Sequence, residues 1–324
     1  MQATNYSTLF FGKLPSFGDF IRYNASGDEV RAFEQWIQEG FYMASKYFDR
    51  EWDSVYKSSP AYHFLFYPEN TELFLTGIFH SSHDKSERKY PFVISRRTGK
   101  GLFDAKYIYL TPLVFTQFFD QSKQLIHDGL EGIPLEEIII RVDNLNELIL
   151  QDFKSCLKNF ESYLTSTTLE SFWSSLFGDF EDPKKFLLMK NLLEILLPLL
   201  SQKSTSSSLG IRFPLSLNTY LTDKEVCFWI KVCMQILGNA PIIPNIFWEI
   251  TKNGKQHYLF LFLRKPSVNT FVQLMQPELE NATICRLEEE GKEKIADADQ
   301  NIPPKYRSAL EIKELTLGDF LCRF

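Results

Sequence analysis

The chain lacks most of the features by which a sequence declares its chemistry. Cysteine is scarce: 324 residues hold 5, namely Cys156, Cys227, Cys233, Cys285 and Cys322. The number is odd and no CxxC spacing occurs, which argues against a disulfide framework or a structural zinc site and predicts a reducing compartment. Positive charge is not in excess either. Lys and Arg total 35 against 41 Asp and Glu, a net charge of −6, and duplex DNA needs a concentrated basic face. No long apolar run is present: the most hydrophobic stretch, FLLMKNLLEILLPLL at 186–200, is interrupted by Lys190, Glu194 and Pro198. A membrane span needs about 20 apolar residues, so this stretch reads as a core helix. The N-terminus MQATNYSTLF shows no basic region followed by an apolar one, so no secretory signal is expected.

Catalytic and cofactor motifs are missing too. GxGxxG, GxSxG and HExxH do not occur, and no period of 20 to 50 residues marks a solenoid. FFGKLPSFGDF, residues 10–20, has the glycines and lysine of a phosphate loop, but Gly12-Lys13 is followed by Leu14 and no glycine stands five residues earlier. His80 and His83 sit at a strand end entering a charged loop, with no Cys or third His at ligand spacing, and read as solvated. His63, His127 and His257 are scattered. No metal or cofactor is expected.

What is present is a large apolar inventory, 44% of the chain with 30 phenylalanines, arranged in alternating strand and helix patterns. STLFFGKL reads as a strand stopped by Pro15. Residues 28–48 place Val30, Phe33, Ile37, Phe41, Ala44 and Phe48 on one helical stripe, with Asp28 as N-cap and Trp36, Met43 and Tyr47 widening the buried face. Strand-like runs at 62–68, 72–82 and 90–97, separated by short loops, predict antiparallel pairing. Helical patterns follow over 109–129, with Pro112 inside, and over 134–153. The second half reuses this grammar. A helix starts at Pro183, a Ser-rich loop spans 202–210, and IRFPLSL reads as a strand. A helix capped by Thr222 and stopped by Gly238 follows, then NIFWEI and QHYLFLFL around the hairpin signal Asn253-Gly254. A helix around 267–275 and a polar segment at 286–304 complete the pattern. The expectation is an α+β fold, mainly antiparallel sheets covered by helices in two packed α/β halves, 1–155 and 156–324.

The opening stretch reads best as architecture: Pro15 ends the strand, Gly18 takes positive φ, Asp19 bonds its own turn, and Phe17 and Phe20 anchor it. Arg88, Lys89, Arg96, Arg97 and Lys100 concentrate positive charge and are candidates for an anionic partner or, more simply, a solvated strand end. Trp248 is a candidate hot spot or a buried strand aromatic. Gly-Asp-Phe recurs at 178–180 and 318–320, with different flanks.

FFGKLPSFGDFIR resembles the G-K-L-P-x-x-G-D-F signature of the TagF (ImpM) family of type VI secretion accessory proteins. FEQWIQEGF is similar to that family's following helix. GIFHSSHDKSERKYPFVIS resembles its S-x-D-x-x-G-R-x-(Y/F)-P stretch through Ser82, Asp84, Arg88, Tyr90 and Pro91, with Glu87 where many members have glycine. Residues 172–199 and PNIFWEI resemble later parts of longer members. The resemblance implies a cytoplasmic, post-translational negative regulator, not an enzyme, acting through the forkhead-associated scaffold protein. It makes Lys13, Pro15, Ser16, Gly18, Asp19, Arg88, Tyr90, Pro91, Arg96, Arg97 and Trp248 the signature or partner-binding candidates. The competing expectations are an enzyme with an unrecognised site between the halves, drawing on Lys13, Asp19, His80 and His83, and a structural part of the secretion assembly.

Overall fold

The computed structural model describes residues 7–69, 71–102, 105–146, 152–201, 209–238, 242–250, 256–280, 282–289 and 298–324. The strands are β1 (Thr8–Gly12), β2 (Ile21–Tyr23), β3 (Ala61–Phe66), β4 (Leu73–His80), β5 (Phe92–Gly99), β6 (Gly210–Leu215), β7 (Asn245–Ile250), β8 (His257–Phe262) and β9 (Ile284–Arg286). They form one sheet in the order β2-β1-β5-β4-β3-β7-β8-β6-β9. Every neighbouring pair is antiparallel except β6 with β9. The fold is the mixed, mainly antiparallel α/β architecture that the strand spacing predicts. The strands before and after residue 155 share the sheet through β3 and β7, in the register Ala61↔Ile250 to Leu65↔Ile246.

The helices are α1 (Asp28–Phe48), α2 (Trp52–Ser58), α3 (Thr111–Val114), α4 (Thr116–Glu131), α5 (Leu135–Asn146), α6 (Phe153–Ser166), α7 (Leu169–Phe177), α8 (Lys184–Ser201), α9 (Thr222–Ile236) and α10 (Thr270–Met275), with short helices Pro304–Leu310 and Leu317–Leu321 near the end. The boundary expected at 155 lies in the first turn of α6. None of the described helices is long and apolar enough to cross a membrane, and α8 buries Leu188, Met189, Leu192, Leu193 and Leu196 as a core helix.

Both faces of the sheet are covered, so strand side chains alternate between two cores. Phe11, Phe64, Phe66, Phe79, Phe247, Phe260 and Phe262 point to the α1/α10 face, where they meet Phe33, Trp36 and Phe271. Phe10, Leu65, Ile78, Ile94, Trp248 and Leu261 point to the face covered by α4, α5 and α9. Fully burying one such side chain stabilises by about 1.5–3 kcal/mol, which is how the phenylalanine excess is used.

Several sequence expectations are corrected. Asp28 is the first helical residue, not the cap; Gly27, at φ 121, precedes it. Trp36 is buried, but Met43 and Tyr47 are 38% and 59% exposed, beside Tyr42 at 60%. Phe271 of α10 packs against α1 at Trp36 and Gly40. Thr222 starts α9 rather than capping it, and the Glu225 carboxylate accepts the Ser216 amide at 2.8 Å instead. The hairpin predicted at Asn253-Gly254 is consistent with antiparallel β7 and β8, though the turn itself lies outside the described residues, as does most of the Ser-rich loop. Gly-Asp-Phe takes three conformations: a surface turn at 18–20, a left-handed helix end at Gly178 (φ 85), and part of the helix Leu317–Leu321. Its recurrence is coincidental.

The WIQxG step of α1 has a clear physical role. Gly40 lies so close to α10 that an added Cβ would sit 2.4 Å from Phe271 Cβ, while Trp36 packs edge-on to Phe271 and donates from Nε1 to Ser267 O at 3.1 Å. An N-terminal motif thereby docks a C-terminal helix. Gly→Ala inside a helix ordinarily gains up to about 1 kcal/mol. Here Gly40→Ala is expected to lose about 1–3 kcal/mol through overpacking, read as a lower denaturation midpoint at unchanged m.

Candidate functional site

The signature stretch and the S-x-D-x-x-x-R-x-Y-P stretch fold into one corner. At the end of β1, Gly12 takes φ 131, and a Cβ there would lie 2.1 Å from Pro91 O. Glycine is required, and Gly18, to which the sequence assigned positive φ, is not in that region. The Phe17 amide donates to Leu14 O at 3.0 Å, closing the turn after Pro15, and the Lys85 amide donates to Phe17 O at 2.8 Å. Asp84 sits at the centre with no solvent exposure. Its Oδ1 accepts the amides of Ser86 (2.9 Å) and Arg88 (3.0 Å), and its Oδ2 meets Lys13 Nζ (3.0 Å) and Arg88 Nε (2.7 Å). Burial alone would raise its pKa, but these hydrogen bonds outweigh it and hold the carboxyl well below the usual range. The far end of Arg88 donates to Gly18 O and lies 3.4 Å from Asp19. Glu87 adopts φ 61, the left-handed conformation for which glycine is the natural residue.

The sequence candidates sort by this geometry. Lys13, Pro15 and Tyr90 are half-buried and Pro91 is buried, while Ser16, Gly18, Asp19 and Arg88 are exposed. The Tyr90 ring stands edge-on to Phe20, 5.2 Å between centroids. Lys13 is spent on Asp84, so it is not a phosphate ligand. The basic strand end is not a surface. Arg96 and Arg97 are buried, because β5 is an interior strand flanked by β1 and β4. Arg97 donates from Nε to Glu29 at 2.6 Å and reaches Ser7 Oγ and Asn24 O, fixing the start of α1. Lys89 pairs with Asp53 at 2.6 Å and Lys100 with Glu72 at 3.6 Å. Trp248 has no exposure and packs on Phe119 and His63. It donates to Asp223 at 3.3 Å and is therefore core rather than hot spot. Burial lowers the pKa of His63 to about 3. Among the described residues no His/Cys/Asp/Glu cluster could hold a metal.

Sequence reasoning missed a cleft of about 740 Å³ at the end of the β3–β7 seam. Lys57, His80, Glu249, His257, Tyr258 and Glu278 line it; Lys13, Asp19 and His83 do not. Glu249 projects on the α10 side of β7, opposite Tyr62. Burial, then the like charge of Glu278, raises its pKa to about 8 against the pull of Arg212 and the Tyr258 amide. Arg212 is fully buried behind the wall, 4.0 Å from the Tyr258 ring, and donates to Glu288 (2.7 Å), Glu289 and Pro277 O (2.8 Å). Tyr258 Oη donates to Glu278 at 2.6 Å. The only sequence signal was an acidic residue at the end of an otherwise apolar strand, NIFWEI.

Residues 10–145 match the family described as TagF N-terminal domain, type VI secretion system-associated. Over these residues the chain is similar to that family. The crystal structure of PA0076 from Pseudomonas aeruginosa PAO1 is similar over 85% of this chain and 96% of its own, with a TM-score of 0.49 and 15% identity. No curated protein matches the sequence.

Glu249 makes stability fall with pH. Unfolded, its carboxyl ionises near the ordinary value of 4.5; folded, it keeps its proton to about 8. Between those values the folded state binds the extra proton, so raising pH favours unfolding by up to about 1.4 kcal/mol per pH unit. Denaturant unfolding at pH 5.5 and 7.5 should show Glu249→Gln gaining on the parent chain at the higher pH. Equal differences at both values would contradict this assignment.

Proposed function

We propose that the protein works by binding rather than by catalysis, as an accessory protein that holds a component of a type VI secretion system in the cytoplasm. The observation that carries this reading is how the family residues are used. Lys13, Asp84, Pro91 and Gly12 are consumed in an internal brace, and what the brace presents outward is the rim of Ser16, Gly18, Asp19 and Arg88. A rigid, hydrogen-bonded corner of this kind suits recognition, because little side-chain freedom is lost when a partner docks. The forkhead-associated scaffold protein implied by the family resemblance is the first partner to test, and negative regulation is the role that this contact would serve.

Catalysis in the cleft is the second reading, favoured by the volume of the cleft and by His80 and Glu249 on its wall. It ranks lower because Lys13 and Asp19, the residues on which it drew, belong to the corner instead. The full-length chain and a Ser16→Ala/Asp19→Ala variant should be compared for capture of the purified scaffold protein at fixed salt. The variant removes two exposed side chains and leaves the Asp84 contacts in place. A loss of at least about fivefold in affinity with an unchanged melting temperature is expected, on the order of 1 kcal/mol. Capture by neither chain, or equal capture by both, would sink the assignment of this rim.

A further inference from the structure

We propose that the cleft at the β3–β7 seam binds a cationic group, the alkyl guanidinium or ammonium of an arginine- or lysine-like ligand, with Glu249 as its counter-ion on the floor and Glu278 at the rim. This inference does not depend on the secretion partner proposed above.

The case starts from a buried acid left incomplete. Glu249 is 8% exposed, and among the described residues its Oε1 has no hydrogen-bond partner. Glu288 also leaves one oxygen, Oε2, without a partner, but its Oε1 takes the Arg212 guanidinium, and two further buried acids are fully paired. Glu29 takes the Arg97 guanidinium, and Glu225 takes the amide and hydroxyl of Ser216. A buried carboxylate oxygen without a partner is costly, and the residue that carries it lines a cavity of about 740 Å³, within the size range of small-ligand sites. The shape of the wall suits an alkyl cation. Ala61, Ile250 and Met275 supply apolar surface for a stem, while the acids supply the charge for its head.

The sign of the charge follows from every group facing the floor. Glu278 lies after α10 and is acidic. His80 on β4 and His257 on β8 are titratable, and Tyr258 on β8 already donates to Glu278. Arg212 on β6 stands behind the wall, where it is shared among Glu288, Glu289, Pro277 O and, at 3.7 Å, Glu278, and its charge also reaches Glu249. Lys57 on α2 is the opposing charge at the mouth. An anion entering would meet Glu278; a cation would meet two carboxyls and displace the Glu249 proton to solvent. Binding therefore releases a proton near neutral pH and strengthens as pH rises.

Isothermal titration of the full-length protein with n-butylguanidinium, and separately with acetyl-Gly-Arg-Gly-amide, tests this at pH 8.5 and 6.5 in buffers of different ionisation enthalpy. Saturable binding is expected at pH 8.5, roughly twentyfold weaker at pH 6.5 for a group titrating at about 8, with proton release near pH 7. Glu249→Gln should cost tenfold or more; its amide imitates the protonated acid, so the variant keeps the fold. Should that variant unfold, Glu278→Gln carries the same test, with a loss of severalfold. Comparable binding of both probes points to a free cationic ligand, and binding of the peptide alone points to a partner's side chain; either supports the proposal. No saturable heat from either probe at pH 8.5, or affinity indifferent to both substitutions, overturns it.

Discussion

The Asp84 carboxylate has no solvent exposure, and each of its oxygens is held by two donors, Oδ1 by the Ser86 and Arg88 amides and Oδ2 by Lys13 and Arg88. A buried charge is tolerated only when it is paired and fully hydrogen-bonded, so each of these donors constrains the chain that carries it. Lys13 ties the end of β1 to the loop before β5. Arg88 returns to Gly18 O and ties the same loop to the β1–β2 turn. Gly12 makes this possible by letting Pro91 approach closer than any side chain would allow. The depressed pKa gives the brace a direction in pH: its contribution is present above the ordinary carboxylate value of about 4 and is lost as acid approaches the lower folded-state value.

Charge elsewhere in the molecule follows the same rule of internal use. Arg97 is spent on Glu29, Arg212 on Glu288 and Glu289, and Lys185 on Phe180 O at 2.6 Å. These cations lock loops onto sheet edges and helix starts. They leave the N-terminal domain without the basic face that its sequence suggested. Sheet and helix also bind the two halves of the chain together, β3 to β7 in register and α1 to α10 through Gly40 and Phe271. The cleft lies where this seam ends, and there one oxygen of the buried Glu249 carboxyl has no hydrogen-bond partner among the described residues.

Much of this was legible in the sequence, for physical reasons that differ by element. The three-strand meander was readable because short loops permit only antiparallel pairing, and α1 because Val30, Phe33, Ile37, Ala44 and Phe48 repeat at helical spacing. Tyr47 misled because periodicity says which residues share a face but not how far a neighbouring helix reaches. Arg96 and Arg97 misled because a strand interior to the sheet buries charge when partners arrive from Glu29 and Ser7, far away in sequence. The signature itself was recognisable as architecture, but its dependence on Asp84 was not, since the two motifs stand some seventy residues apart. The cleft was illegible: its walls come from β3, β4, β7, β8 and the segment after α10, and no local pattern announces such a convergence.

The central claim is that the family signature is a brace closed by Asp84 rather than a reactive loop. A double-mutant cycle with Lys13→Met and Asp84→Asn, read by denaturant unfolding at neutral pH, tests it most directly. The account predicts that Asp84→Asn is strongly destabilising and that the double variant loses less than the sum of the two single losses, because both remove one shared interaction. Strict additivity, or an Asp84→Asn variant as stable as the parent chain, would contradict it.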